Sequence, residues 1–258
     1  MSNPDEITII SNRSGADLRD IVIDAYRTKL DEAEREKFQK KNAYAKDFRS
    51  GEVYVQLQEN VRRRRVHVVA GFFRPGLYEF RKSIVDGLGG KRSPVVEELI
   101  RDYIHTVEGD FAELLKILDA ARRSGAQESS VYFTYFPDSR QDKKDEPRVS
   151  ISAKLQYNQV VNAGGGKLQR FGVIDLHSQQ EQGFTDLPVD QIEFKSIFML
   201  YVKNIVDRWQ DVVLVFPDPN DFKKKKKFAI DIGLPVAIID KDKETHKAAH
   251  TEYILGAR

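Results

Sequence analysis

The sequence predicts an α/β protein whose parallel β-sheets are flanked by helices. Apolar runs typical of buried strands alternate along the chain with amphipathic segments, which is the pattern of strand–helix–strand units. Several of these runs end in polar or charged residues. With 258 residues, 40% of them hydrophobic, the chain can bury the core of one large domain or two smaller ones.

The first third of the chain predicts three strands and one helix. Residues 7–10 are apolar and predict a strand, and apolar residues at helical spacing predict a helix over about 17–29. Residues 52–57 alternate between polar and apolar, as a half-buried strand does. Residues 65–71 are more continuously apolar and predict a buried strand.

The middle of the chain changes character between residues 74 and 109. Glycine, proline and paired charges cluster there, and an apolar helical pattern follows to about residue 104. The segment predicts a loop with a helix of its own, inserted into a more regular fold.

The remainder predicts two helices, over 110–123 and 152–163, and four strands. The strands are expected at 130–136, 171–176, 212–216 and 235–239. In parallel sheets, ligands bind beyond the carboxyl ends of the strands, and here each of these ends carries polar residues. Four such ends converging on one rim would form a site.

Composition excludes several classes of protein. The absence of cysteine rules out disulfides, thiolate metal sites and a cysteine nucleophile. The 42 basic and 40 acidic residues give no electrostatic reason to expect a nucleic-acid partner. No long apolar stretch predicts a membrane span, and the polar N-terminus does not resemble a secretory signal. We therefore expect a soluble, cytoplasmic protein.

The densest charged segment is residues 139–148, directly after a predicted strand. It holds four basic and three acidic side chains. A run of this kind is most often a solvated surface loop. The alternative is a clamp for phosphate and a nucleotide base, because arginine offers paired donors and lysine a point charge.

Two further strand ends carry candidate ligands. His177, two residues after Asp175, is either a structural histidine or a metal ligand, although Mg²⁺ prefers carboxylate oxygens and water. Asp218 precedes five consecutive lysines, residues 223–227, which form either a solvated helix face or a phosphate-attracting surface.

Taken together, these segments resemble the ribose-phosphate pyrophosphokinase family. Residues 136–154 are similar to the nucleotide-binding segment of that family, and residues 175–190 match its signature nearly position for position. Residues 48–53 resemble the loop that reaches the ATP of a neighbouring subunit. The similarity covers roughly residues 7–70 and 110–241.

The resemblance implies two phosphoribosyltransferase-like domains, residues 1–190 with the insertion at 74–109, and residues 191–258. It also implies Mg²⁺-dependent transfer of the β,γ-diphosphoryl group of ATP to the anomeric hydroxyl of ribose 5-phosphate, releasing AMP. The expected partners are ATP, a ribose phosphate acceptor and further copies of the chain, as a dimer or a hexamer. No nucleic acid and no membrane is expected.

The resemblance also assigns residues to roles. His177 and Asp218 correspond to the Mg²⁺-linked positions, and Lys241 and Lys243 to the catalytic lysine and its basic neighbour. The ATP-binding positions are Phe48, Ser50, Glu52, Arg140, Gln141, Asp145 and His177.

Three departures from the family pattern bear on the acceptor. Lys243 stands where the family has arginine, and Pro219-Asn220-Asp221 replaces small residues with paired glycines. The chain also ends before the loop that cradles the 5-phosphate of ribose, so we expect an incomplete second domain, most simply through truncation. Two alternatives therefore stay open: the same chemistry on ADP-ribose, or a non-catalytic, nucleotide-binding regulatory homologue.

Overall fold

A computed structural model describes residues 7–37, 43–72, 106–193, 212–241 and 251–256. Its contacts divide the chain into two compact units, Met1–Ile192 and Glu193–Arg258. Residues 74–105 of the inserted segment predicted at 74–109 lie outside the described residues. None of the described helices is long and apolar enough to cross a membrane.

The first unit is built on a five-stranded parallel sheet in the order β1-β4-β5-β6-β7. Its strands are β1 (Ile7–Ser11), β4 (Arg65–Ala70), β5 (Glu128–Phe133), β6 (Leu168–Ile174) and β7 (Val189–Ile192). Because all five run in one direction, their carboxyl ends share one edge of the sheet.

Helices cover both faces of this sheet. Helix α1 (Ala16–Arg27) packs Ile23 against Ile7 and Ile9 on one face. Helices α3 (Val107–Arg123) and α4 (Ser152–Gly164) cover the other face, where the main core is buried. A short helix, α2 (Glu32–Lys37), follows α1. The predicted α/β class, with a parallel sheet between helices, is confirmed.

The strand predicted at 52–57 belongs to a separate hairpin. Strand β3 (Val53–Leu57) pairs antiparallel with β2 (Ala43–Asp47), which the sequence analysis missed. Val55 and Leu57 pack against the main core, while the other face of the hairpin is exposed. The alternation along β3 therefore reflects packing of a hairpin on the unit, not a strand of the parallel sheet.

Two strands end earlier than the hydrophobic pattern predicts. Strand β5 stops at Phe133, because Phe136 turns away to stack on Tyr157 of α4 with ring centroids 4.0 Å apart. Strand β6 stops at Ile174 and not at residue 176. Aromatic residues that pack in a loop carry the same apolar signal as residues in a strand.

The second unit holds a three-stranded sheet in the order β10-β9-β8. Strands β8 (Leu214–Phe216) and β9 (Val236–Lys241) are parallel and are connected by helix α5 (Pro219–Ile232), whereas β10 (Thr251–Gly256) runs antiparallel to β9. The five lysines lie inside α5, which begins four residues earlier and is capped by Asp218.

Candidate active site

A cavity of about 570 Å³ opens at the carboxyl ends of β5 and β6. That volume lies in the range of small-molecule sites in proteins. The residues that line it come from the loops after these two strands: Tyr135, Phe136, Asp138, Ser139, Arg140, Gln141, Asp175 and His177.

The loop after β5 turns sharply at Asp138, which has a positive φ of 57°. Aspartate tolerates this left-handed conformation better than most residues. Its carboxylate accepts a hydrogen bond from Gln156 Nε2 at 2.7 Å, and its carbonyl accepts one from Gln141 N at 2.8 Å. The turn therefore fixes the backbone that presents Arg140 and Gln141.

Helix α4 holds Gln141 in place at two points. Ser152 Oγ donates to Gln141 Oε1 at 2.7 Å, and Ala153 N donates to Gln141 O at 3.3 Å. With its amide oxygen engaged by Ser152, Gln141 has its NH₂ group available as a donor. Arg140 beside it is exposed. This side of the cavity therefore offers hydrogen-bond donors and a positive charge.

The loop after β6 has the same design. Asp175 also adopts a positive φ, 48°, and its backbone N donates to Ile192 O of β7 at 3.2 Å. His177 follows on the cavity wall and is exposed. Each site loop thus contains a left-handed aspartate: Asp175 directly follows β6, and Asp138 lies five residues after the end of β5.

Hydrogen bonds join these two loops. Gln180 Nε2 donates to Asp142 Oδ2 at 3.1 Å. Behind the cavity, the fully buried Glu181 lies with Oε2 3.1 Å from Ser139 Oγ, and Oε1 accepts from Ser178 N at 3.1 Å. Burial raises the pKa of the Glu181 carboxyl.

Three predicted site residues thus line one cavity, namely Arg140, Gln141 and His177. Asp145 lies in the same loop as Arg140 and is exposed, but it is not among the residues that line the cavity.

The hairpin residues predicted to contact ATP cluster at the turn between β2 and β3. Ser50 Oγ donates to Glu52 Oε2 at 2.8 Å, and Phe48, 45% exposed, packs edge-on against Tyr54. These side chains do not line the cavity. Arg13 anchors the hairpin through two hydrogen bonds to Asp47, of 2.8 and 2.9 Å.

In the second unit, Asp218 and Lys241 lie at the carboxyl ends of neighbouring parallel strands. Asp218 follows β8 by two residues, and Lys241 is the last residue of β9. Asp218 Oδ1 accepts from Asp221 N at 2.8 Å as the cap of α5. Lys243 lies outside the described residues.

Sequence reasoning did not assign a role to Tyr135, Asp138, Ser139 or Glu181. A signal for Glu181 exists, because Ser178 and Glu181 form the serine-x-x-glutamate spacing of a capping box, and the structure forms that box. The other residues flank Arg140 in ordinary turn chemistry, so nothing in the sequence alone distinguishes them.

The donor set on the cavity wall fits a Mg²⁺ ion that takes most of its ligands from elsewhere. Asp175 offers carboxylate oxygens beside His177, and the described residues contain no group of three potential metal ligands. Mg²⁺ usually keeps several waters and binds substrate phosphates with only one or two carboxylates.

Fold and cavity together define a class: α/β proteins with a cavity at the carboxyl ends of a parallel sheet, which is where such folds bind their ligands. A family model described as the N-terminal domain of ribose phosphate pyrophosphokinase matches residues 7–164, which is more than half of the chain. The chain belongs to the ribose-phosphate pyrophosphokinase family, and the resemblance deduced from its motifs is confirmed.

Individual relatives agree with this assignment. The ribose-phosphate pyrophosphokinase of Fusobacterium nucleatum is 28% identical over 256 residues, covering 99% of this chain and 67% of that protein. That of Synechocystis is 31% identical over 212 residues, covering 82% and 53%. That of Chlorobaculum tepidum is 37% identical over 144 residues, covering 56% and 43%. The chain therefore matches between 43% and 67% of the length of these relatives.

A solved structure supports the fold. The crystal structure of phosphoribosylpyrophosphate synthetase from Mycobacterium smegmatis matches with a TM-score of 0.66 at 23% identity, covering 97% of this chain and 67% of that one.

Proposed function

We propose that the chain transfers the β,γ-diphosphoryl group of ATP to the anomeric hydroxyl of ribose 5-phosphate or a related ribose phosphate, releasing AMP. The observation that carries the proposal is the cavity in which Arg140, Gln141 and His177 meet at the carboxyl ends of β5 and β6. In this reaction the acceptor oxygen bonds to the β-phosphorus of ATP. The bond between that phosphorus and the oxygen that joins it to the α-phosphate breaks, and AMP leaves with this oxygen. The hydroxyl proton is released to solvent.

The cavity offers the groups that such a nucleotide requires. Arg140 would pair with phosphate oxygens, for which the guanidinium fork is well shaped. Gln141, whose amide oxygen accepts from Ser152, would donate its NH₂ hydrogens to acceptors on the nucleotide. Asp145, in the same loop, would contact the nucleotide from outside the cavity lining.

Mg²⁺ is the cofactor we propose, and His177 of the first unit and Asp218 of the second are the positions that the family resemblance links to it. A bound Mg²⁺ would supply positive charge to offset the negative charge of the phosphate oxygens. Asp218 already uses Oδ1 as a helix cap, so Oδ2 is the oxygen that this role would engage.

The catalytic residues of the proposal are Lys241 and Lys243, which would act as cations. Lys241 ends β9, on the rim where parallel strands present ligand-binding residues. An ammonium group there would stabilise the negative charge that develops on the transferring oxygens. Lys243, two residues later, would add a second positive charge.

We also propose that the working protein is a homo-oligomer, a dimer or a hexamer. Phe48, Ser50 and Glu52 do not reach the cavity of their own chain. Phe48 is 45% exposed and would stack on the adenine bound by a neighbouring copy. Polar side chains at the same turn would then accept or donate hydrogen bonds to the base.

AMP release from Mg²⁺-ATP tests the reaction, with ribose 5-phosphate and then ADP-ribose as acceptor and the products identified by mass spectrometry. An acceptor heavier by one diphosphate establishes the chemistry and identifies the substrate. ATP binding without AMP release on either acceptor refutes the enzyme and leaves the non-catalytic, nucleotide-binding alternative.

A lysine variant separates catalysis from general charge. Lys241→Ala should abolish turnover and keep ATP affinity within several-fold, because its role belongs to the transition state. Lys226→Ala, which removes an exposed lysine of α5, is the matched control and should leave both unchanged. Unaltered turnover in Lys241→Ala would remove that residue from the mechanism.

A further inference from the structure

Glu181 is a fully buried acid in the wall behind the cavity. None of its side-chain surface reaches solvent, and none of the ion pairs formed within the described part of the chain includes it. Burying a carboxylate without a cation is costly unless hydrogen bonds replace its hydration. Its protonation state is therefore decided by the atoms that touch it.

One of its two contacts is to a hydroxyl that is already engaged. Ser139 Oγ lies 2.7 Å from Phe136 O and 3.1 Å from Glu181 Oε2. A carbonyl oxygen only accepts, so the single hydroxyl hydrogen of Ser139 is used in the shorter contact. The longer contact then lacks a hydrogen unless Glu181 supplies it.

The other carboxyl oxygen is held by the second site loop. Glu181 Oε1 accepts from Ser178 N at 3.1 Å, and the Ser178 side chain accepts in return from Glu181 N. Ser178 directly follows His177. Glu181 thus touches the loop that presents Arg140 and the loop that presents His177 through its two different oxygens.

We propose that Glu181 is a neutral carboxylic acid in the folded protein and that it positions the site. Its proton, donated to Ser139 Oγ, completes a chain from Glu181 through Ser139 to Phe136 O. This chain joins the loop that carries Arg140 to the loop that carries His177 beside one cavity. The consequence for ATP rests on the function proposed above, whereas the protonation and the link between the loops do not.

The charged and titratable groups around Glu181 favour the neutral form. Burial raises its pKa, the backbone hydrogen bond from Ser178 lowers it in part, and the nearby Asp142 raises it further. Ser139 would lower this pKa only if its hydroxyl turned from Phe136 O to Glu181 Oε2. Tyr157 lies near it on α4, and burial raises the pKa of that phenol, which stays neutral. Lys154, also on α4, donates to Phe184 O at the end of the same turn.

Ionisation would disturb the site. An anionic Oε2 requires a donor, and the nearest one is the Ser139 hydroxyl, which would have to leave Phe136 O. The turn that begins the Ser139–Gln141 segment would lose a hydrogen bond, and the segment would shift relative to His177. Nucleotide affinity should therefore fall when Glu181 loses its proton.

The isosteric Glu181→Gln variant tests the protonation without any ligand. Glutamine can donate to Ser139 and accept from Ser178 at every pH. A group whose folded pKa is raised contributes stability that is complete below its unfolded pKa, about 4.3, and is lost as pH rises through the folded pKa. From about pH 4.5 upward, the unfolding constant of the wild type should rise about tenfold per pH unit relative to Glu181→Gln until the folded pKa is passed. Parallel profiles above about pH 5.5 would overturn the neutral acid.

Amide hydrogen exchange tests the link between the loops. Glu181→Ala and Ser139→Ala should speed exchange in residues 139–141 and 178–181, whereas Glu181→Gln should not. Equal protection in all three variants would show that the chain of hydrogen bonds positions nothing.

Mg²⁺-ATP affinity tests the functional consequence. Glu181→Ala should weaken binding about fivefold or more, which is the effect of losing about one hydrogen bond. Glu181→Gln should weaken binding by less than about twofold. Equal weakening by both would show that position 181 acts through packing alone. If the wild type itself binds no ATP, the proposed function fails, while the stability and exchange measurements still decide the role of Glu181.

Discussion

Replacing Arg13 by methionine tests whether a partly buried ionic network anchors the β2–β3 hairpin. Arg13 donates from Nε to Glu113 Oε2 at 2.7 Å and from Nη1 to Asp47 Oδ2 at 2.8 Å. Burial alone would lower the pKa of the guanidinium, but the hydrogen bonds to Asp47 and Glu113 outweigh it and raise the pKa above its ordinary value. The cation is therefore held firmly between helix α3 and the hairpin.

The size of the effect follows from the exposure of the two carboxylates. The Glu113 side chain is 1% exposed, and without Arg13 it keeps a hydrogen bond from the backbone N of residue 13 but no cation. Removing one partner of a buried pair costs about 3 kcal/mol. The Asp47 side chain is 23% exposed, so water replaces most of its lost contact. We expect the free energy of unfolding to fall by about 3 kcal/mol.

Urea unfolding followed by far-ultraviolet circular dichroism measures this loss. With an m-value of about 2–3 kcal/mol/M, the midpoint should move down by about 1 M. Arg123→Met is the matched control, because Arg123 is 71% exposed and its pair with Asp119 is worth about 0.5 kcal/mol. A loss in Arg13→Met no larger than in Arg123→Met would refute the anchoring role.

Three further variants probe other parts of the chain. Gly71→Ala should destabilise the protein by about 2 kcal/mol or more in urea, because an added Cβ would lie 2.4 Å from the Ser14 carbonyl oxygen, and an effect below about 0.5 kcal/mol would contradict that contact. The His67 imidazole should titrate below its ordinary pKa in an NMR titration, because burial and then Arg65 lower its pKa. The free energy of unfolding should therefore fall less in His67→Gln than in the wild type as pH falls through that lowered pKa. Identical pH dependence of the two free energies would contradict the prediction. Asp218→Asn keeps an oxygen for the cap of α5 but removes the charge, so the melting temperature should hold while the Mg²⁺ concentration needed for ATP turnover rises; an unchanged requirement would remove Asp218 from the metal site.

The spacing of apolar residues predicted the helices and strands that bury a regular face against the core. Helix α3 buries a regular stripe against the sheet, and β4 is covered on its core face along its length, so both showed clear patterns. Strand β2 was missed because none of its residues is fully buried, so the strand carries no strong apolar signal. Its pairing with β3 is set by the turn between them. Alternation in β3 indicated a strand, but it contains no information on which sheet the strand joins.

The site was predicted as far as its motifs extend. Arg140, Gln141 and His177 were assigned by family resemblance, and the fold brings them to one cavity. Spacing in sequence does not reveal that Ser152 orients Gln141, since the contact joins a loop to the first turn of the following helix. Residues that position other residues leave little trace in a single sequence, because their partners are set by the tertiary fold.

Because β5 and β6 are parallel, the sequence could predict that the residues after them form one site. It could not predict how the loops that carry these residues are shaped. Each loop contains an aspartate in the left-handed conformation, Asp138 in the loop after β5 and Asp175 directly after β6. The sequence shows an aspartate after a strand, which is ordinary turn chemistry. Only the structure shows that both turns fold the chain back over the same edge, where Glu181 lies between them. The exposed residues that would touch a ligand are thus held by buried groups that would not, and the functional test of this site is as much a test of Glu181 as of Arg140.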